Sequence, residues 1–375
     1  MTDAEFFRKK RAAAVLKHGV LSRYLVPFTT KTSSAATGGR VVVLDGYAGS
    51  GRYDDGSAGS PIFIAEAARR LPPGRKAQLL FVEERPARVG KLRQVLGAEA
   101  ADVDWTVEKG TVEQYLDQAL TIADGVPFFA LLDPCGLGLT FEDIATRIYG
   151  RPYFQYSPGT EVLVNFSADA IRRIGGRLIK EQEGAAGREA TLERMDAACG
   201  GDWWRDTYRQ ASDNAEAVTA IAAEYLDRLV EATKAGGWVF DVKNAAHQQA
   251  RYSLLFLSRH PDGLMVFGEA LSTAQEEWRE ALAEGTLLGE PDSLKAAEEA
   301  LAAVWVAELK DNVRALVQKH PRFVIRTKYA EIMGALAGDA RMKHLRTALK
   351  ELHKQGVLSS DGKGSPLWDQ TVVRA

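Results

Sequence analysis

Acidic and glycine residues follow the apolar segments of the first half of the chain, and their types and spacing could support chemistry. The apolar run 41–44 predicts a short buried strand, and it leads directly into the segment Asp45-Gly46-Tyr47-Ala48-Gly49-Ser50-Gly51. Small residues in such a loop let the backbone approach a ligand closely, and the acid at the strand end would hold a polar group. We interpret this segment as a nucleotide-cofactor loop, with an ordinary structural turn as the alternative.

The spacing of the glycines excludes two common classes of nucleotide site. A dinucleotide fold needs G-x-G-x-x-G opening a helix, whereas here Gly46, Gly49 and Gly51 are spaced differently and residues 52–59 intervene before the next predicted helix. The Lys-Ser/Thr pair that completes a P-loop is also absent. Both observations favour a cofactor that has no pyrophosphate to be held.

Further candidates follow the second, third and fourth predicted strands. Glu83 ends the second strand, where a carboxylate can accept hydrogen bonds from both ribose hydroxyls. Thr111 follows the third strand and could face an adenine, although it could instead be a simple helix N-cap. Asp133 and Pro134, directly after the fourth strand, are the best candidates for the reaction centre, with a plain turn as the alternative.

The segment Asp133-Pro134-Cys135-Gly136 is related to a known reaction-centre pattern but departs from it. In amino-methyltransferases that act on nucleic acid bases, this place holds an Asp/Asn-Pro-Pro-aromatic tetrad, which binds the exocyclic amine and stacks on an extruded base. Here Cys135 and Gly136 replace the second proline and the aromatic residue, which counts against base stacking by this loop. Cys135 could also be a nucleophile, as in enzymes that methylate carbon 5 of pyrimidines, but no histidine lies near it in sequence.

Composition sets the broad class of the protein. The chain has 375 residues, 46% of them hydrophobic and 26% charged, which is typical of a globular protein with two domains. Two cysteines exclude a disulfide scaffold and a Cys-rich zinc or iron–sulfur site within this chain. The net charge is −2, yet residues 305–375 carry 13 Lys and Arg against 7 Asp and Glu. No apolar run long enough for a membrane span and no signal-peptide pattern is found, so we expect a cytoplasmic protein.

The alternation of strand and helix patterns predicts an α/β fold with a doubly wound parallel sheet. The predicted strands of the first half are 41–44, 78–82, 103–107, 128–132 and 162–166. We expect an N-terminal helical segment over 1–40, the sheet domain over 41–270 with a helical insertion at about 168–235, and linking helices over 271–304. Strands at 253–257 and 264–267 would form an edge hairpin, and the pair Trp203-Trp204 would lie in the insertion core or, as the alternative, form a substrate platform.

The last part of the chain, 305–375, reads as three helices followed by a two-stranded wing, which is a winged-helix-like pattern. Its third helix is basic and would be the recognition helix on nucleic acid. A solvated helix face and a protein contact are the alternatives. The basic residues on or beside this helix are Arg341, Lys343, Arg346, Lys350 and Lys354.

The sequence resembles the three-Cys-motif partner (TcmP) family. The likeness covers most of the chain, and its most specific part is the long glycine-rich segment. The stretches that carry it are KHGVLSRYL (17–25), DGYAGSGRYDDGSAGSP (45–61), FVEE (81–84) and LLDPCG (131–136). Cys135 stands where the family commonly has Phe. The resemblance implies a Rossmann-like class I methyltransferase fold and a partner protein of the iron–sulfur, radical-enzyme-like kind that carries three cysteines.

Carried over residue by residue, the resemblance assigns two groups of site residues. It implies that S-adenosylmethionine binds at Asp45, Gly46, Ala48, Gly49, Gly51 and Glu83, with Asp133 and Pro134 at the reaction centre. Thr111 joins the expected cofactor contacts through its position after the third predicted strand, not through the resemblance. Arg52, Tyr53 and Ser60 of the matched segment are expected to contact substrate, and Gly59 and Pro61 complete that segment. Cys135 is a further expected substrate contact because it follows Asp133 and Pro134, although it departs from the family pattern.

Three functions remain open at this stage. The first is an S-adenosylmethionine-dependent methyltransferase acting on a nucleic acid or nucleotide-like acceptor. The second is a non-methylating protein that keeps the fold and binds nucleic acid or the partner protein. The third is a metal-dependent nuclease or a natural-product-modifying enzyme with carboxylate ligands. Those ligands would come from Asp45, Asp54, Asp55, Glu83 and Asp133.

Overall fold

The computed structural model of the chain divides into two compact units. One unit comprises residues 21–260, and the other combines residues 1–20 with residues 261–375. Helix α1 (Asp3–Ala35) contributes residues to both. The structure describes residues 3–134, 136–153, 159–179, 188–243, 248–283 and 291–375.

A seven-stranded sheet is the centre of the 21–260 unit in the described part of the chain. Its strands are β1 (Arg40–Asp45), β2 (Lys76–Glu83), β3 (Asp104–Lys109), β4 (Phe128–Leu132), β5 (Thr160–Phe166), β6 (Gly236–Val242) and β7 (Tyr252–Ser258). The spatial order is β3-β2-β1-β4-β5-β7-β6. β1 to β5 pair in parallel, and β7 runs antiparallel to β5 and β6. The predicted doubly wound sheet is confirmed, and its order reverses between β1 and β4.

Helices cover the sheet in alternation with its strands. They are α2 (Ser60–Arg69), α3 (Pro86–Glu99), α4 (Val112–Ile122), a π-helical turn (Asp143–Ile148), α5 (Ala168–Ile179), α6 (Arg188–Cys199), α7 (Trp203–Gln210) and α8 (Asn214–Thr233). Pro61 and Pro86 lie in the first turns of α2 and α3, where proline loses no helical hydrogen bond. The described residues of the segment predicted as a helical insertion form the four helices α5 to α8, which lie between β5 and β6 in the chain.

The core of this unit explains the continuous apolar runs in the sequence. All five residues of β4 are buried, and β1 is buried from Val41 to Asp45, because helices cover both faces of these central strands. Trp204 is fully buried in the same core. Trp203 packs on it, with the guanidinium of Arg228 4.6 Å from its ring centroid. These contacts agree with the insertion-core interpretation of the tryptophan pair.

One predicted element is wrong. Residues 264–267 do not form an edge strand, because they lie in helix α9 (Pro261–Ala283). Leu264, Phe267, Leu271 and Ala274 are all buried at spacings of three and four residues, which is a helical period. The strand interpretation rested on four consecutive apolar residues that follow a turn sequence. The strand that pairs with β7 is β6 instead of residues 264–267.

The unit of residues 1–20 and 261–375 contains a small sheet and several helices. After α9 come α10 (Pro291–Lys319), β8 (Arg322–Val324), α11 (Tyr329–Met333), α12 (Met342–Lys354) and β9 (Thr371–Val373). β8 and β9 pair antiparallel, and Leu358 forms a further bridge with Arg374. Three helices are found over 305–375, as predicted, but β8 lies between the first two of them and pairs with β9 rather than following the third helix, so the winged-helix arrangement stays a prediction. The described residues of the predicted linking segment 271–304 lie in α9 and α10. None of the described helices is long and apolar enough to cross a membrane.

Candidate cofactor and acceptor site

The loop after β1 is hydrogen-bonded to both strands that neighbour β1 in the sheet. The Gly46 amide donates a hydrogen bond to the carbonyl of Leu131 in β4 at 2.9 Å, and the Ala48 amide donates to Val82 in β2 at 2.9 Å. Amides bonded in this way do not form the cluster of outward N–H groups that a pyrophosphate requires. The backbone geometry therefore agrees with the sequence-based exclusion of dinucleotide and P-loop sites.

Glu83 fixes this loop from the end of β2. The residue is 7% exposed, and its two carboxylate oxygens accept backbone hydrogen bonds from Gly49 at 3.0 Å and Arg85 at 2.8 Å. Each carboxylate oxygen has a second lone pair, so acceptor capacity for ribose hydroxyls is retained. The ribose role of Glu83 stays a prediction, and the structure adds a loop-holding role that the sequence did not indicate.

Asp45 lies at the switch point of the sheet, at the end of β1. Its side chain is fully buried, and one carboxylate oxygen accepts a hydrogen bond from the Tyr47 amide at 3.2 Å. A buried carboxylate is stabilised by hydrogen-bond donors and positive charge. Asp45 and Glu83 thus bring two acids to adjacent strand ends, an arrangement suited to a cationic ligand with hydroxyl groups.

The loop glycines are required for different reasons. Gly49 has φ +66°, and a Cβ there would have no atom within 4 Å, so this part of the loop borders open space. At Gly46 a Cβ would lie 2.9 Å from Val112 Cγ2 of α4, which makes this glycine a packing requirement. Gly51 combines both conditions, with φ +80° and a Cβ position 3.1 Å from Leu92 Cδ1 of α3.

Residues 52–58 form a small turn beside the cofactor loop. Arg52 pairs with Ala58 in an antiparallel bridge, and the Tyr53 amide donates to the Ser57 carbonyl at 2.9 Å. The Arg52 guanidinium is held by both oxygens of Glu99, at 2.7 and 2.5 Å, and this contact lowers the pKa of Glu99. Arg52 therefore anchors the turn to α3, and its predicted substrate contact stays a prediction.

Two of the predicted contact residues differ in exposure. Tyr53 is 44% exposed, whereas Ser60, in the first turn of α2, is 8% exposed. Burial raises the pKa of Tyr252 at the start of β7, and the nearby Tyr53 raises it further. The turn thus brings an exposed aromatic ring near β7, while Ser60 lies beneath the surface.

Thr111 is the N-cap residue of helix α4. The Gln114 side chain accepts a hydrogen bond from the Thr111 amide at 2.9 Å, as in a capping box. This is the helix-cap role that the sequence allowed. It fixes the end of β3 but does not test the predicted contact with an adenine.

Asp133 is paired with a residue that the sequence interpretation missed. The Asn165 side-chain amide donates to Asp133 Oδ1 at 2.5 Å, across the adjacent ends of β4 and β5. Asn165 Oδ1 is buried, and no donor reaches it among the residues that the structure describes. The only signal in the sequence is one amide side chain within the apolar run TEVLVNF. Cys135, the predicted nucleophile or substrate contact, lies outside the described residues.

A small cavity of about 20 Å³ adjoins Asn165 and Pro134. Such a volume is comparable with the space that one water-sized group occupies. Apolar side chains form most of its wall, and Asn165 and Ser167 add polar groups. Its wall includes residues of the loop 134–139, of β5 and of helices α5, α6 and α8. The arrangement has room for a small polar group next to an oxygen that accepts hydrogen bonds.

The five acids proposed as metal ligands are placed differently from one another. Asp54 and Asp55 are exposed in the turn after the cofactor loop, whereas Asp45 and Glu83 are buried and bonded to backbone amides. Across the described ranges, no group of three or more His, Cys, Asp or Glu side chains is arranged to hold a metal ion.

Comparison with known proteins adds the following similarities. No protein-family model matches the chain, and no curated protein matches it. An O-methyltransferase from Bacillus cereus, solved in complex with SAH, is 13% identical, covers 68% of this chain and 91% of its own, and has a TM-score of 0.34. The O-methyltransferase TomG from Streptomyces achromogenes, solved with SAM, is 14% identical, with coverages of 67% and 88% and a TM-score of 0.33.

The sheet order itself defines the fold class. A doubly wound sheet that reverses at β1 and β4 has its ligand crevice at the carboxyl ends of those strands. The antiparallel β7 between β5 and β6 completes a Rossmann-like α/β sheet. The sheet is therefore the doubly wound one that the sequence predicts.

Proposed function

We propose that this protein is an S-adenosylmethionine-dependent methyltransferase. The observation that carries the proposal is the joint placement of Asp45 and Glu83 around a glycine loop whose amides are bonded within the protein. A site of this kind offers carboxylates rather than free amides. It therefore suits a ligand with positive charge and ribose hydroxyls better than one with phosphates.

The residues present fit this cofactor. Gly49 borders open space at the carboxyl edge of the sheet, where a bulkier residue would also have to adopt a positive φ. Asp45 would bind the amino end of the methionine part, and Glu83 would bind the ribose. S-adenosylmethionine supplies an electrophilic methyl group on its sulfonium, so the protein has to position the acceptor and receive a proton.

Asp133 and Asn165 support an acceptor that carries N–H groups. Asn165 Oδ1 needs a donor, and the Asp133 carboxylate can accept a second hydrogen bond or a proton. An amino group presents two donors from one atom, and it is small enough for the adjoining cavity. We propose that Asp133 orients the acceptor amine and takes up its proton, and that Asn165 holds Asp133 in position.

The acceptor that we propose is a nucleic acid or nucleotide-like molecule, as the Asp-Pro segment suggests. The resemblance to the TcmP family supports a three-Cys-motif iron–sulfur protein as a working partner. Because the aromatic position of the tetrad is Gly136, base stacking would have to come from another residue. Tyr53, exposed beside the cofactor loop, is our candidate.

Incorporation of a labelled methyl group tests this function. The protein, with and without the three-Cys-motif partner, is incubated with methyl-labelled S-adenosylmethionine and with separate RNA, DNA and protein fractions. We expect label in a nucleic acid fraction, at least about tenfold less label with Asp133→Ala, and unchanged cofactor binding by that variant. Label confined to protein would overturn the proposed acceptor, and no label in any fraction would count against the activity.

A further inference from the structure

Helix α12 of the C-terminal unit presents a row of cations to solvent. Lys343, Lys350 and Lys354 are exposed and are separated by seven and four residues, which places them on one face of the helix. The buried residues of α12 lie on the opposite face and include Leu345, Leu349 and Leu352. Eleven residues of helix rise by about 16 Å, so the charges form an extended row rather than one cluster.

Acidic residues of this region are engaged elsewhere. Glu351, the one acid in the α12 sequence, is held by Lys310 of α10 at 2.6 Å. None of the three lysines has an ion-pair partner within the described parts of the chain. No carboxylate of the described residues therefore neutralises the row through an ion pair.

Two other basic residues of the predicted recognition helix are already engaged. Arg341 is bonded to Glu276 of α9 at 2.7 Å, and Arg346 donates to the carbonyls of Gly362 and Gly364 at 2.6 and 2.9 Å. Arg346 thereby fixes the turn that precedes β9 against α12. The surface available for an external partner is narrower than the sequence suggested.

A polar depression of about 400 Å³ lies on the same unit, between the end of α12 and the turn before β9. Polar side chains line it from His353, Ser359, Ser360, Lys363 and Thr371, of which His353 and Ser359 already contact the backbone carbonyls of Leu358 and Val373. The single carboxylate of its wall, Asp361, is bonded to the backbone amide and the ammonium of Lys363, both at 3.0 Å. Lys363, the one Lys or Arg in this wall, is paired with Asp361, so the depression adds mainly hydroxyl groups that can donate to anionic oxygen atoms.

We infer that the Lys343–Lys350–Lys354 row and this depression form a binding surface for the phosphate backbone of a nucleic acid. Lysines act on phosphates as point charges, and neutralising each phosphate releases counterions, so such binding weakens with salt in proportion to the number of contacts. No base-reading pair is needed, so we expect affinity without sequence preference. This inference does not depend on the methyltransferase proposal, because it rests on the C-terminal unit alone.

Fluorescence anisotropy with the full chain tests the surface. The probes are a labelled mixed-sequence DNA duplex and an RNA hairpin of the same sequence, titrated from about 50 to about 200 mM salt. The test variant is K343E/K350E/K354E. The control K76E/K234E/K295E reverses three exposed lysines elsewhere on the chain. Thermal melting and calorimetry with S-adenosylmethionine confirm that both variants fold and report cofactor binding separately.

We expect the test variant to bind both probes at least about tenfold more weakly and to lose about three units of the log–log salt slope. The control variant should bind like the unchanged protein. Tighter binding of the DNA duplex or of the RNA hairpin would show which nucleic acid this surface binds. Equal loss in the two variants, or equally strong binding of a polyglutamate competitor, would overturn the inference in favour of general charge attraction or an acidic protein partner.

Discussion

The backbone amide of Gly49 lies 3.0 Å from a carboxylate oxygen of Glu83, and this bond joins the glycine loop after β1 to the acid after β2. Two features that the sequence presents 34 residues apart are therefore one structural unit. A change at Glu83 should disturb the shape of the loop as well as any direct contact with a ribose.

The first prediction concerns Glu83→Gln. The new side-chain amide can accept only one of the two backbone hydrogen bonds, because its NH2 group faces the other donor. We expect a loss of about 1–3 kcal/mol in the free energy of unfolding and weaker S-adenosylmethionine binding. Urea unfolding and calorimetry measure these effects. Glu84→Gln, at an exposed neighbouring position, is the matched control, and equal behaviour of both variants would disprove the loop-holding role.

A second prediction concerns the packing of Gly46. The Cβ of Gly46→Ala would lie 2.9 Å from Val112 Cγ2, so we expect destabilisation by about 1–3 kcal/mol. Val112→Ala removes the opposing methyl groups. The double variant should therefore be more stable than the sum of the two single changes predicts, by about 1 kcal/mol. Denaturant unfolding of all four proteins gives the coupling energy, and strict additivity would show that the contact does not limit the position.

The third prediction concerns the Asp133–Asn165 pair. Asn165→Asp places two carboxylates at the position of a 2.5 Å hydrogen bond, which raises the pKa of the pair above that of the unfolded chain. The folded form then binds more protons than the unfolded form, so stability should fall as pH rises from about 4 to about 8. Urea unfolding across this range measures the slope.

The exchanged variant D133N/N165D is the control for that experiment. It restores one amide and one carboxylate in the reverse order, and we expect it to recover most of the stability lost at about pH 8. Methyl transfer should not recover, because the carboxylate then lies on β5 rather than after β4. Recovery of activity together with stability would show that the position of the acid is unimportant.

A fourth prediction follows from Glu161, a carboxyl group that is 4% exposed at the start of β5. Burial raises its pKa from 4.5 to about 7, while hydrogen bonds from Tyr24 and from Ser258, the latter at 2.9 Å, oppose this rise. The folded protein binds the proton more tightly than the unfolded chain. The Glu161 carboxyl group therefore makes its full contribution to the free energy of unfolding below about pH 4.5. This contribution is lost progressively as pH rises to about 7.

Glu161→Gln removes this titration. The variant should equal or fall slightly below the natural protein at about pH 5 and exceed it at about pH 8, by as much as about 3 kcal/mol. Melting temperatures at both pH values measure the crossover. The exposed Glu113→Gln serves as the control and should leave the pH profile unchanged. Parallel profiles for the natural protein and Glu161→Gln would contradict the buried, protonated carboxyl group.

Local patterns predicted the strands of the sheet because their apolar runs are buried on both faces and end in acids or glycine. The same reasoning failed at residues 264–267, where four apolar residues fit a strand and a helix equally well. The helical spacing of buried residues that continues to Ala274 distinguishes the two. Contacts between distant residues had no local signal. Arg52 meets Glu99 across 47 residues, and Asp133 meets Asn165 across 32, so the sequence identified the acids of the site but not their partners.

Binding of S-adenosylmethionine to the full chain, measured by titration calorimetry, tests the central claim most directly. We expect saturable one-to-one binding that Asp45→Ala and Glu83→Ala both abolish, whereas Glu84→Ala leaves it unchanged. NAD and ATP should give no saturable heat, since the loop amides of Gly46, Ala48 and Gly49 are bonded within the protein. The absence of binding at about 1 mM S-adenosylmethionine, or tighter binding of NAD or ATP, would contradict the assignment of this site.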